Sequence, residues 1–166
     1  MKVDISDILR VDGSSMELDF SEEPAVKEPV AGFMLNDDLS FSGTLTNNNG
    51  IITLEGYLKA SYTGECYRCL RMTGKKLKIK IKEDYTGNTH EDQPDIYCFE
   101  RKMLDIDKAF YDNIVLSLPM KHLCSEQCKG LCGRCGANLN EKQCACDEEE
   151  AVDPRMEGLS VLLKHS

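Results

Sequence analysis

An α+β fold, mainly antiparallel β-sheet or a partly open barrel with a few helices and a C-terminal cysteine-rich module, is predicted by three patterns in the sequence. Apolar and polar residues alternate from Leu39 to Tyr85, and a period of two gives a strand one buried and one solvated face. An apolar repeat of helical period follows between Ala109 and Leu118. Six of the nine cysteines are then concentrated between Cys124 and Cys146.

Lys2 to Ile5 alternates and reads as a short strand, and Ser6 is placed to cap a helical turn through Arg10. Met16 to Phe20 alternates again, and the charged, proline-interrupted stretch from Glu22 to Pro29 reads as a loop. Strand pattern resumes from Val30, with Leu39 to Thr46 alternating and Asn47-Asn48-Asn49-Gly50 a strong turn signal. Beyond the turn Ile52, Leu54, Leu58, Ala60 and Tyr62 share one face, where Gly56 marks a bulge or a close backbone approach. Cys66 to Cys69 occupies the turn before the clearest strand, Lys75 to Tyr85. There Leu77, Ile79 and Ile81 point inward, and Lys76, Lys78, Lys80 and Lys82 point outward. Gly87 to Pro94 is polar and loop-like, and Asp95 to Phe99 reads as a short strand. Asp105 or Asp107 caps a helix that Pro119 ends. After the cysteines, Asp147 to Glu150 is a solvated hinge, and Asp153-Pro154 opens a closing helix with Met156, Leu159, Leu162 and Leu163 on one face.

The cysteines fall into close pairs: Cys66 with Cys69, Cys124 with Cys128, Cys132 with Cys135, and Cys144 with Cys146. A structural zinc ion takes four thiolate or imidazole ligands, and a close pair supplies two of them from one tight turn at little entropic cost. Eight paired cysteines are the count for two zinc ions per chain. One ion held by four of the six clustered cysteines is the alternative, leaving Cys66 and Cys69 as free thiols. Gly133 and Gly136 flank the Cys132 pair and let the backbone fold back so that its N–H groups point at the sulfurs. Cys132, Cys135, Cys144 and Cys146 are near enough to close one compact module, which leaves Cys124 and Cys128 to join Cys66 and Cys69 across more than fifty positions. Cys98 is expected to pack as a small buried hydrophobe. The odd count argues against a disulfide framework. The opening Met1-Lys2-Val3-Asp4-Ile5-Ser6-Asp7 shows no apolar signal segment, which points to a soluble, cytoplasmic setting with reduced thiols.

The length allows one ordinary core plus a small metal module. The expected division is a β-rich part, 1–119, with the Cys66 and Cys69 knuckle and a helix near 107–118, and a zinc module with closing helix, 120–166, packed on it. No apolar run approaches membrane-spanning length. With 7% aromatic residues and no tryptophan the core is modest, so metal ligation is expected to add stability.

A net charge of −9 argues by itself against a general nucleic-acid binder. Its distribution is uneven, because residues 61–82 carry +6. Arg68, Arg71, Lys75, Lys76, Lys78, Lys80 and Lys82 make this a candidate RNA-binding strip that could track phosphates. Lysines on an exposed strand are otherwise an ordinary solvated face that also blocks unwanted pairing. The tail lacks a basic recognition helix, which argues against sequence-specific DNA reading.

No catalytic constellation is present. The histidines are His90, His122 and His165, and no Ser-His-Asp arrangement, phosphate loop or carboxylate pair accompanies them. A hydrolytic zinc would need an open ligand position. His122 is either a substitute ligand near Cys124 or an ordinary surface residue. A thiol oxidoreductase using Cys66 and Cys69 is the competing enzyme reading, although such pairs sit at helix N-termini and this one lies between strands.

Cys66-Tyr67-Arg68-Cys69-Leu70 follows a β-rich half, Leu116 to Met120 precedes the cluster, Cys128 to Asn140 forms its centre, and Asp153-Pro154-Arg155 leads to Leu159 and Leu162. In these motifs the chain resembles, over nearly its whole length, the YceD family of bacterial and chloroplast proteins. The resemblance implies a role in accumulation or processing of large-subunit ribosomal RNA, with that RNA or a large-subunit ribosomal protein as partner. It brings no catalytic residue set. Some family members lack a counterpart of the module from Cys132 to Cys146 while keeping the Cys66 pair, which implies completion of that pair by Cys124 and Cys128.

Overall fold

The computed structural model describes residues 1–22, 29, 32–36, 39–87 and 96–146. The hinge and closing helix expected beyond Cys146 lie outside these residues, as do most of the two expected loops, although Glu22 belongs to a strand. In chain order the elements are β1 (Lys2–Asp4), a 3-10 turn (Ile8–Arg10), β2 (Ser15–Glu22), β3 (Phe33–Leu35), β4 (Leu39–Asn48), β5 (Ile51–Glu65), β6 (Met72–Thr86), β7 (Tyr97–Cys98), β8 (Met103–Asp105) and α1 (Asp107–Ser117).

The main sheet runs β2-β4-β5-β6-β7, antiparallel except for the short parallel pairing of β7 with β6. β3 pairs with β5 beyond the end of β4, so β3 and β4 line the same side of the long central strand. Among the described residues the sheet does not close into a barrel, and β1 pairs separately with β8. The protein is thus α+β and mainly antiparallel, with one α-helix among the described residues. That helix is not long and apolar enough to cross a membrane.

The alternation read from the sequence determines which face is buried. Ile52, Leu54, Leu58 and Ala60 of β5 and Ile79 and Ile81 of β6 join Phe41 and Leu45 of β4. They pack against Ile5, Ile8, Leu104, Ile106, Phe110 and Ile114 on the opposite layer. Burying a side chain of this size contributes about 1.5–3 kcal/mol. Gly56 sits opposite Gly43 in unbroken register, so it marks a close approach and not a bulge. A Cβ on Gly56 would lie 2.6 Å from Phe41 Cζ. The Phe41 ring covers this gap and packs on Phe110 with centroids 5.0 Å apart.

Asn49 and Gly50 both have positive φ, 53° and 88°, as a two-residue hairpin turn requires. Asn47 is buried before it and donates from Nδ2 to Ile8 O at 2.8 Å, while its Oδ1 accepts the Gly50 N–H at 2.8 Å. One side chain thus joins the hairpin to the N-terminal turn.

Three local expectations are corrected. Ser6 caps nothing, because its hydroxyl and N–H both bond the Asp4 carboxylate and the turn begins after Asp7. The N-cap of α1 is Ile106, not Asp105 or Asp107. Asp107 is the first helical residue, where its charge suits the helix dipole, and it pairs with the Met1 amino group. Cys98 is exposed and not buried, because β7 is a two-residue strand whose packed position is taken by Tyr97, against Tyr85. The C-terminal end of α1 is as expected: Leu118 turns extended ahead of Pro119.

Candidate metal centres and the lysine face

The turn between β5 and β6 is a knuckle. The Cys66 N–H bonds Arg71 O at 2.9 Å and the Leu70 N–H bonds Cys66 O at 2.9 Å, with Leu70 at φ 58°. The second C-x2-C pair repeats this geometry. The Cys132 N–H bonds Ala137 O at 2.8 Å and the Gly136 N–H bonds Cys132 O at 2.9 Å, with Gly136 at φ 69°. The left-handed residue that closes each turn is a glycine in one and a leucine in the other. A β-carbon in that conformation costs roughly 1–2 kcal/mol.

The knuckles gather the thiols into two quartets. Cys66, Cys69, Cys124 and Cys128 form one, and Cys132, Cys135, Cys144 and Cys146 the other, with all sulfurs of a quartet within 4.8 Å of one another. A tetrahedron with metal–sulfur bonds of about 2.3 Å has sulfur–sulfur edges of roughly 3.8 Å, whereas a disulfide bond is about 2.0 Å. The Sγ atoms of Cys66 and Cys128 are 3.8 Å apart, those of Cys69 and Cys124 3.6 Å, and those of Cys132 and Cys144 3.5 Å. These spacings fit a tetrahedral metal ion in both quartets.

The electrostatics fit as well. Burial alone would raise the Cys66 thiol, but the N–H groups of Cys124, Cys69 and Arg68 bring it down to about 5. The N–H groups of Cys135 and Arg134 bring Cys132 down to about 6. Cys124 and Cys146 are pushed up to about 12, first by the neighbouring Cys128 and Cys135 thiols. Amide dipoles thus favour some thiolates in each quartet, and the resulting charge keeps neighbours protonated. A bound cation resolves the conflict by letting all four sulfurs be negative.

The surroundings of the quartets differ. Cys66, Cys69 and Cys128 are buried, whereas Cys135 is exposed. Arg68 donates from Nη1 to Cys128 O at 2.8 Å, and its carbonyl accepts the Leu131 N–H at 3.1 Å, which ties the first knuckle to the tail. Asn140 Oδ1 accepts the Lys129 N–H at 2.8 Å, and Asn140 Nδ2 lies 3.4 Å from Cys128 Sγ. His122 is neither a surface residue nor a member of a quartet. It is buried, with Nε2 2.7 Å from Thr73 Oγ1, packed edge-on against Phe33 and Tyr62, and its carbonyl accepts the Tyr67 N–H. Neither His122 nor Asn140 was legible as a support from spacing, because their partners come from β3, β5 and β6 or from the far side of a loop.

The basic strip is divided by the fold. Arg68 is committed to Cys128, Arg71 pairs with Glu141, and Lys82 pairs with Glu55 at 2.6 Å. Lys75 shares its strand parity with Leu77 and lies on the other face from its neighbours, although it is exposed. Lys76, Lys78 and Lys80 remain on the open face. The register adds two residues that the reading by single strands missed: Lys59 stands opposite Lys78, and Tyr57 stands opposite Lys80.

An open antiparallel sheet with a cysteine knuckle on one hairpin and two tetrathiol clusters defines a small sheet protein with two candidate metal centres. The chain belongs to the family described as large ribosomal RNA subunit accumulation protein YceD, whose model matches residues 54–163. It is 27% identical to an uncharacterized protein of Mycobacterium tuberculosis over 98% of this chain and 81% of that protein. It is 43% identical to the chloroplastic large ribosomal RNA subunit accumulation protein YCED homolog 1 of Arabidopsis thaliana, over 31% of this chain and 16% of the relative. The homolog 1 of Zea mays is 24% identical over 61% of this chain and 46% of its own length. The match thus spans less than half of either chloroplast protein. No solved structure matches the chain.

Proposed function

We propose that the protein is a non-catalytic ribosome-biogenesis factor that promotes accumulation or processing of large-subunit ribosomal RNA. In this reading each quartet holds a structural zinc ion: Cys66, Cys69, Cys124 and Cys128 the first, and Cys132, Cys135, Cys144 and Cys146 the second. The ions would neutralise the thiolates and lock the knuckles, and the first would join the tail at Cys124 and Cys128 to the β5–β6 hairpin. A cytoplasm with reduced thiols suits such ligands. The thiol oxidoreductase reading is weakened by the burial of Cys66 and Cys69 and by their place between strands, since redox pairs need an accessible thiolate.

The observation that carries the proposal is the cluster of lysines on the open sheet face, with no carboxylate in ion-pair distance among the described residues, in an otherwise acidic chain from a family named for ribosomal RNA accumulation. Phosphate contacts of that kind lose affinity steeply with salt. Changing Lys76, Lys78 and Lys80 together to Glu is expected to release the protein from large-subunit precursors in a sedimentation assay. Unchanged co-sedimentation of a folded triple variant would reject the lysine face as the contact.

A second reading is favoured by the first knuckle, where Tyr67, Leu70 and Met72 are exposed and Tyr67 lines a cleft together with the exposed Met120. Exposed apolar groups gathered on a rigid turn suit a protein partner, and a large-subunit ribosomal protein is the candidate.

A further inference from the structure

We infer that the open sheet face is a single-strand RNA platform, with Tyr57 stacking on an unpaired base and Lys59, Lys76, Lys78 and Lys80 holding the flanking phosphates. This deepens the ribosomal RNA reading above and rests on it.

The register brings the pieces together. β5 places Lys59 directly opposite Lys78, so two like charges face each other across neighbouring strands. That arrangement is unfavourable without an anion to share. The adjacent lysine shows how the same sheet treats a cation with a structural partner: Lys82 is paired with Glu55. Lys59 and Lys76 have no carboxylate within ion-pair distance among the described residues, and Lys80 feels Glu55 only at longer range. Lysines on β6 also guard a strand that lacks a second neighbour along most of its described length, so protection of an edge could account for them alone. It does not account for Lys59, which lies on the central strand between β4 and β6.

Tyr57 supplies what phosphate contact alone does not need. It is 49% exposed in the middle of the sheet, whereas Tyr62 of the same strand and Phe41 and Tyr85 of its two neighbours are buried. Lys78 Nζ lies over the ring, 4.6 Å from its centroid, so a cation covers one ring face and a base would stack on the other. The face is concave here: a cleft of about 350 Å³ is lined by Ser40, Ser42, Tyr57, Lys59, Lys78 and Asp19. A second cleft of about 330 Å³ continues past Lys59 to Lys76. The hydroxyls offer hydrogen bonds to a base edge or a ribose. Asp19 carries the one negative charge in the first cleft and directs the phosphates toward β6. A duplex keeps its bases stacked on each other, so an exposed tyrosine among lysines fits an unpaired strand.

The test is fluorescence anisotropy on the full chain, with a labelled single-stranded RNA of about 12 nucleotides and the corresponding RNA duplex, within the usual site size of such platforms. Tyr57→Ala is expected to weaken single-strand binding about tenfold and to leave the weaker duplex binding unchanged, while Tyr57→Phe keeps wild-type affinity. Lys59→Gln with Lys78→Gln is expected to weaken both and to flatten the salt dependence by roughly 1.4 in slope. Both sites are on the surface, so circular dichroism of the variants should be unaltered. If the lysine variant weakens binding and Tyr57→Ala does not, stacking is overturned while the RNA reading stands. If the wild-type chain binds neither RNA, both are overturned.

Discussion

The two tetrathiol clusters share one turn geometry and differ in what they join. The first draws Cys66 and Cys69 from the β5–β6 hairpin and Cys124 and Cys128 from the tail, and it is buried. The second takes all four sulfurs from residues 132–146 and leaves Cys135 exposed. A tie between distant residues removes more freedom from the unfolded chain than a local one does, and a buried tie also orders what packs around it. The same coordination chemistry is therefore expected to hold the fold together at one site and to shape a small module at the other.

The largest effect that distinguishes them comes from Cys66→Ser with Cys69→Ser. Structural zinc binding contributes about 10–16 kcal/mol of apparent folding energy in small modules, comparable to the whole stability of a domain. The variant is expected to lose one metal ion per chain and its cooperative thermal transition, as read by elemental analysis and calorimetry. An unchanged transition would show that the hairpin does not depend on the tail. Cys132→Ser with Cys135→Ser should likewise remove one ion, yet shift the main transition by no more than a few degrees. For the same reason a chelator is expected to remove the ion of the exposed cluster first, in a two-phase release that either double variant reduces to one phase.

His122→Ala tests the support beneath the first site. It removes a buried ring that contacts Phe33, Tyr62 and Thr73, and about 2–4 kcal/mol of destabilisation should appear in denaturant unfolding. The smallest effect concerns the left-handed residue of each knuckle. Leu70→Gly is expected to stabilise the chain by about 1 kcal/mol, and Gly136→Leu to weaken only the second module by a similar amount. If Leu70→Gly leaves stability unchanged but lowers affinity for large-subunit precursors, the exposed leucine serves contact and its strained backbone is retained for that purpose.

Much of this was legible before the structure. The alternation of Ile52, Leu54, Leu58, Ala60 and Tyr62 named one buried face residue by residue, because a strand has a period of two whatever it packs on. The Asn-Gly turn was legible because few residues tolerate its backbone. His122 and Cys98 were placed the wrong way round in burial, since His122 lies in no periodic run, Cys98 lies in a strand too short for its period to fix a face, and each is positioned by neighbours distant in sequence. The apparent continuity of Arg68 and Arg71 with the lysines was a feature of the linear chain. In space one arginine braces the tail and the other meets Glu141.

By itself the sequence determined the strands, the inward face and the close cysteine pairs, all of which depend on spacings of a few residues and on local backbone chemistry. Spacing offered the meeting of Cys66 and Cys69 with Cys124 and Cys128 as one of two arrangements and tertiary structure chose it, whereas tertiary structure alone decided that Lys59 and Tyr57 join the lysines of β6. Those meetings depend on register and chain crossing, which follow from burial of the whole core and leave no short-range mark in the order of residues.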